Sequence, residues 1–276
     1  MQKFSYHTHS TFSDGQNTAS EMIEHAAAIG LDEFGISDHL IVHKNIEQLR
    51  FCGAAKKIFH SSFDNELVDL CNKHADEIRK ASKKYGIKTR VGYEADYFTY
   101  NGWIEEFDDF LKKIDYDYLI SGNHYFMSSN GEDIFDIWCF QKYKDIAPED
   151  TTVYLKRHFQ TLSKAVASKR FWFLAHPDYA QTVYGYNESD YQTEFYNTVQ
   201  ALLSTKTGCE ISTKGLRKFG HFYPSKNILS QLIEKNIPII VSDDAHEANQ
   251  ICSFFDDAEN ELAQLGCKNR LIFAEK

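Results

Sequence analysis

The amino-acid sequence predicts an α/β protein built as a closed or nearly closed seven-stranded barrel, and three observations carry that expectation. Seven short strand-like runs are each followed by a helical or polar segment, an order that implies parallel strands joined by crossovers. The runs are rich in Ile, Phe and Val, as strands buried on both faces should be. No Gly-rich phosphate loop follows the first run, which disfavours an open dinucleotide-binding sheet.

The elements follow in order. Phe4 to Gly15, FSYHTHSTFSDG, reads as the first strand and its polar turn. Thr18 with Glu21 three residues on is a capping box opening a helix whose apolar stripe is Met22, Ile23, Ala26, Ala27 and Ile29, and Gly30 ends it. Glu33 to Ser37 is the second strand, with Asp38-His39 at its end, and Leu40 to Phe63 is expected to be a loop with helical pieces. A helix over Asn65 to Tyr85 stops at Gly86. Lys88 to Tyr93 is the third strand and Ile104 to Ile114 a helix; Asp117 to Gly122 is the fourth strand, followed by a long aromatic loop over 125–150. A helix over Thr151 to Ser168 leads to the fifth strand, Phe171 to Ala175, and a helix over Ser189 to Ser204 to the sixth, Gly208 to Ser212. A helix over Ser225 to Lys235 precedes the seventh strand, Ile237 to Ser242; Phe254 to Leu265 closes as a helix, and Leu271 to Phe273 can add a last short strand.

Bulk properties narrow the function classes. With 276 residues, and no linker, low-complexity run or repeat to divide them, residues 1–276 are expected to form one domain of ordinary barrel size. A composition 42% hydrophobic and 25% charged is that of a globular chain. No apolar run reaches membrane-span length and the N-terminus is too polar for a signal peptide, so the expected location is the cytoplasm. Six cysteines without a CxxC pair are expected to be reduced and structural. The net charge of −10 argues against a long nucleic-acid partner, which would want a basic face. It leaves room for a small phosphate ester, because bound dications reverse the field inside one pocket. Oligomeric state is not legible.

What stands at the strand ends points to chemistry. His7 and His9 are two residues apart, which on a strand puts both imidazoles on one face, and Asp14 returns a carboxylate to the same place. Strand two delivers His39, strand three Glu94, strand four His124 and strand five His176. Strand seven delivers Asp244 and His246, again two apart. In a barrel these ends converge on one rim, where active sites lie. Six of the 12 histidines fall there, with three carboxylates. Singly each has a bland reading as a cap, an ion-pair partner or a core histidine. Jointly they make a ligand set for Zn, Mn or Fe.

The order HTH…D, SDH, E, NH, HPD and DAH resembles the polymerase and histidinol phosphatase (PHP) family over nearly the whole chain, and the AHPD and SDDAH forms are most similar to its histidinol-phosphate phosphatase branch. The resemblance implies a distorted seven-stranded (β/α)7 TIM-like barrel with a trinuclear metal centre at the C-terminal rim, two to three divalent ions being the expected complement. It would place His7, His9, Glu94 and Asp244 on one metal, Asp14, His39 and His246 on a second, and Glu94, as a bridge, with His124 and His176 on a third. Position 14 can be His in the family and is Asp here. Asp243 is expected behind the ligands, orienting a ligand histidine.

The implied chemistry is hydrolysis of a phosphomonoester, L-histidinol phosphate to L-histidinol and phosphate in histidine biosynthesis, by a metal-bridging hydroxide. Glu94, Asp244 and His246 are the expected catalytic residues, the last two as alternative proton shuttles. Arg217, in STKGLRK, is the expected phosphate fork, with Arg157 and His43 as further substrate contacts. The aromatic loop over 125–150 offers a wall for an imidazole. Two other readings stay open. One is a related phosphoesterase acting on nucleotides or nucleic-acid ends, which the acidic chain disfavours; the other is a non-catalytic binding protein, which the complete ligand set disfavours.

Overall fold

In the computed structural model, residues 2–46, 59–142, 149–180 and 188–273 are described. The part of the expected loop at 47–58, with Cys52, and the aromatic Tyr143 lie outside them.

Seven parallel strands form the barrel wall: β1 (Phe4–Ser5), β2 (Glu33–Val42), β4 (Lys88–Ala95), β5 (Tyr118–Ser121), β8 (Phe173–Leu174), β9 (Gly208–Ser212) and β10 (Ile239–Ser242), adjacent in that order. A two-residue β3 (Phe59–His60) pairs on the upper end of β2. The seam between β10 and β1 closes beyond the ends of both, through a bridge from Thr8 to Ala245 and a bond from His9 N–H to the Ala245 carbonyl (2.8 Å). The wall is therefore a nearly closed, distorted barrel, as expected.

The helices follow local sequence rules closely. Helix α1 (Ala19–Ala28) starts at the Thr18–Glu21 capping box: Thr18 Oγ1 accepts from Glu21 N, and Glu21 Oε2 from Thr18 N. Helix α2 (Asn65–Tyr85) is capped by Asp64 and ends at Gly86, whose φ of 68° suits a residue without a Cβ. Helices α3 (Trp103–Leu111), α4 (Thr151–Ala167), α5 (Gln192–Thr205), α6 (Lys214–Phe219), α7 (Lys226–Glu234) and α8 (Phe255–Gln264) complete the outer layer. Their apolar faces bury the two large clusters outside the barrel wall.

The barrel interior is filled below the rim. Tyr6, Tyr118, Ile120, Phe173, Ala175 and Ile240 form a separate cluster there. The Tyr118 ring crosses the interior and donates its hydroxyl to the Tyr6 carbonyl (2.7 Å). It lies where a Cβ on Gly35 or Gly92 would stand, so both positions need glycine.

Several expectations change. The first strand is only Phe4–Ser5; His7 and His9 lie beyond it, in extended backbone shared between the two neighbours. The second strand runs five residues further than expected, to Val42, so Asp38 and His39 lie within it. The loop over 125–150 contains a hairpin, β6 (Tyr125–Met127) with β7 (Ile134–Asp136), and a 3-10 helix at Ile137–Lys142. Cys139 is disulfide-bonded, against the expectation of six reduced thiols; Cys71, Cys209, Cys252 and Cys267 are free. No helix among the described residues is long and apolar enough to cross a membrane.

Candidate metal centre

All nine side chains expected at the rim converge. Four overlapping groups have their ligand atoms within 4.8 Å of one another: His9, Asp14, His39 and His246; His7, His9 and Glu94; His39, Glu94 and His124; and His7, His176 and Asp244. Local structure explains the convergence. In the parallel register of β2 and β4, His39 is the partner of Glu94. Gly122 follows β5 without a side chain and leaves room for the Glu94 carboxylate. His176 and Asp244 turn off their strands in the left-handed region, at φ of 23° and 46°. A non-glycine residue there costs on the order of 1–3 kcal/mol, a strain that clusters at functional sites.

Glu94 is the hub. Its Oε2 lies 3.2 Å from His7 Nε2, 3.4 Å from His9 Nε2 and 3.1 Å from His39 Nδ1. Its Oε1 lies 2.8 Å from His176 Nε2 and 3.5 Å from His124 Nε2. Asp244 Oδ1 faces His9 Nε2 (3.1 Å) and His246 Nδ1 (3.4 Å), and Asp14 Oδ1 faces His246 Nε2 (3.2 Å) and His39 Nε2 (3.6 Å).

These atoms fit a group of cations. His7 Nε2, both ring nitrogens of His9, His39 Nδ1, Glu94 Oε2 and Asp244 Oδ1 are buried with no hydrogen-bond partner. Orphaned polar atoms of this kind are costly and rare, yet here they face one another. Imidazole and carboxylate donors at this spacing are what Zn, Mn or Fe takes. Burial and His246 hold His9 below the ordinary imidazole range, while burial and His9 hold His39 down to about 4, so both are neutral and able to ligate. Burial opposes ionisation of Glu94, but His7, His124 and His39 hold it well below the usual carboxylate range.

Behind the ligands stand carboxylates that sequence reasoning missed. Glu210, fully buried on β9, accepts from His7 Nδ1 (2.8 Å), Ser242 Oγ (2.5 Å) and the His176 backbone N–H (2.8 Å). Asp96 accepts from His124 Nδ1 (2.8 Å) and the His124 N–H (2.6 Å). Asp38 gathers Ser10 and Ser13 (2.5–2.7 Å at Ser10 N, Ser10 Oγ and Ser13 Oγ) and lies 2.9 Å from His74 Nε2, which shapes the turn between His9 and Asp14. Such partners fix a ligand's tautomer and direction. Glu210→Ala is expected to weaken metal affinity about 10–100-fold, with Glu210→Gln less affected. Metal titration of the folded variants checks this, and an unchanged affinity in Glu210→Ala would mean that packing alone orients His7.

Asp243, expected from sequence to orient a ligand histidine, directs its hydrogen bonds instead to the backbone. Its oxygens accept from the backbone N–H groups of Ala245 (3.3 Å) and Cys252 (2.7 Å), and so hold the turn that carries Asp244. Burial raises its carboxyl to about 6.

A cavity of about 280 Å³ opens on the centre, lined by Asp14, His39, His124, His176, Asp244 and His246. The rest of the lining is Trp138, Tyr179, Phe219 and Tyr223, with Lys214 and Lys218. The three side chains expected to contact substrate are absent from this lining. Arg217 donates to the carbonyls of Asp243 (2.6 Å) and Asp244 (3.2 Å) and to Thr213 Oγ1 and Ser253 Oγ. Arg157 donates to the Met127 carbonyl and to both oxygens of Glu149. His43 is buried, with Nε2 against the Gly131 carbonyl (2.9 Å), bracing the β6–β7 turn. In each case at least one backbone carbonyl takes a donor.

The model of the PHP domain matches residues 5–214, about three quarters of the chain. The chain belongs to the PHP domain family. No curated protein sequence matches it. Among solved structures, a candidate histidinol phosphatase from Listeria monocytogenes superposes with a TM-score of 0.69 at 18% identity, over 92% of this chain and 99% of that one. The histidinol phosphate phosphatase of Lactococcus lactis, complexed with zinc, L-histidinol and phosphate, gives 0.68 at 17% identity, over 99% and 97%. At these identities the two likenesses establish the PHP barrel fold. Family membership and a ring of side chains able to hold metal make this PHP protein a metal-dependent phosphatase.

Proposed function

We propose that the protein hydrolyses a small phosphomonoester, with L-histidinol phosphate as its substrate and water as the acceptor. The observation that carries this reading is the set of orphaned imidazole and carboxylate atoms opening on a small, partly aromatic cavity. Dications held by these side chains would supply hydroxide at neutral pH and would neutralise the phosphate's charge in the transition state. His7, His9, Glu94 and Asp244, then Asp14, His39 and His246, then Glu94 with His124 and His176, are the ligand sets this reading assigns. Glu94 belongs to the first and third sets, with one oxygen toward His7 and His9 and the other toward His124 and His176. Asp244 and His246 both line the cavity, and one or the other takes the proton moving between the attacking water and the leaving oxygen. Trp138, Tyr179, Phe219 and Tyr223 offer flat faces to the alcohol portion, and an imidazole suits them. The Lactococcus lactis protein, crystallised with L-histidinol and phosphate, supports this choice of ester.

Protein purified without chelator is expected to carry roughly two to three transition-metal ions per chain, the number that nine ligands serve. Elemental analysis checks the count, and trace metal in a fully active protein would sink the reading. Substrate is tested by phosphate release from a panel that includes L-histidinol phosphate, sugar phosphates, nucleotides and phosphotyrosine. A kcat/KM for L-histidinol phosphate below those of the nucleotides would transfer the protein to the alternative phosphoesterase class.

A further inference from the structure

We infer that Lys214 is a phosphate-contacting residue of this site: its ammonium takes an oxygen of the phosphate group that enters the cavity. The inference rests on the phosphatase reading and supplies the cation that reading lacks. A phosphate monoester needs donors for the oxygens it does not place on metal. Arg217, Arg157 and His43 are turned to protein acceptors, and none lines the cavity. Among the described lining residues, Lys214 and Lys218 are the lysine or arginine side chains present. They sit four apart on α6, so both point to one side of that helix. Lys218 is the more exposed of the two.

Lys214 is also the better placed. Its Nζ lies 2.7 Å from Asp244 Oδ2, while Oδ1 of the same carboxylate faces the ligand histidines. The ammonium therefore stands one carboxylate away from the centre. An ammonium carries three N–H donors, and Asp244 occupies one. The side chain is 18% exposed, open to the cavity yet restrained. Arg217 supplies the restraint, because its guanidinium ties α6 to the Asp243 and Asp244 carbonyls and so holds Lys214 against the turn it serves.

Calorimetric titration of the metal-loaded protein with inorganic phosphate tests the contact, with metal content matched between variants. In Lys214→Met the phosphate Kd is expected to rise about tenfold or more, the size of one charge-assisted bond. Lys214→Arg should keep most of the affinity. A Lys214→Met variant, or Lys214→Gln if the first does not fold, that binds phosphate within twofold of wild type overturns the inference. So does a folded variant that takes up no metal, since Lys214 would then serve Asp244 alone. A wild type that binds phosphate through Lys214 but releases none from any monoester would sink the phosphatase reading and leave the contact standing.

Discussion

Glu94→Gln should fold and lose nearly all phosphatase activity. The carboxylate lies within 3.5 Å of five of the six rim histidines, three on one oxygen and two on the other. An amide keeps the shape but presents N–H donors to one of those two groups and removes the charge that opposes bound cations. Removing one preorganised electrostatic contact typically costs about 10²–10³ in kcat. A residue shared between ligand groups should reach the upper end of that range or pass it, with bound metal lowered as well. The measurement is kcat at saturating metal alongside metal content per chain and the circular dichroism spectrum. A kcat close to wild type at saturating metal would remove Glu94 from the centre.

Gly122→Ala should approach the same loss without touching any ligand. A Cβ at that position would overlap Glu94 Oε1 and come within 2.7 Å of Glu94 Cδ and 2.9 Å of His176 Cε1. The wall strand on one side and the filled floor below leave the carboxylate as the part that must give way. Overpacking of this kind costs about 1–3 kcal/mol of stability. The displaced Glu94 would lose its shared position, so metal content and kcat should fall together, kcat on the order of 10²-fold. Shortening the acid relieves the overlap: Glu94→Asp combined with Gly122→Ala should lose less than the two single effects added. Strict additivity, or a Gly122→Ala enzyme with normal metal and kcat, would contradict the geometry.

The convergence of the nine side chains was legible because most of them stand at or near the end of a strand-like run, and a barrel forces such ends together. The capping box at Thr18 and the stop at Gly86 were legible because they rest on local hydrogen bonds. The carboxylates behind the ligands were not. Glu210 sits inside the apolar run GCEIS, where one acid reads as an interruption, and only the closed barrel turns it toward His7. Asp96 carried a usable signal, since it is a carboxylate one residue past the strand that carries Glu94, at the same rim. The hairpin in the long loop was signalled by Asn130-Gly131, with Gly131 at φ 75° between β6 and β7. FSYHTHSTFSDG reads as one strand because its alternation is good, but the backbone past Ser5 pairs on both sides in turn. Arg217 shows a related limit of local reading. Its position in the chain was read correctly, but the carbonyls that claim it belong to a turn some 26 residues away.

The plug of Tyr118 across the barrel, beneath the ligands, decides how molecules come and go. With its hydroxyl tied to the Tyr6 carbonyl and two glycines cleared to admit its ring, the floor offers no exit. Reactant and products share the mouth of the cavity whose lining includes Trp138, Phe219 and His246. The fragment seated deeper must wait for the one nearer the door. On the proposed reaction the alcohol departs first and phosphate last, so turnover is queued by the architecture, and accumulating phosphate stalls the enzyme from inside.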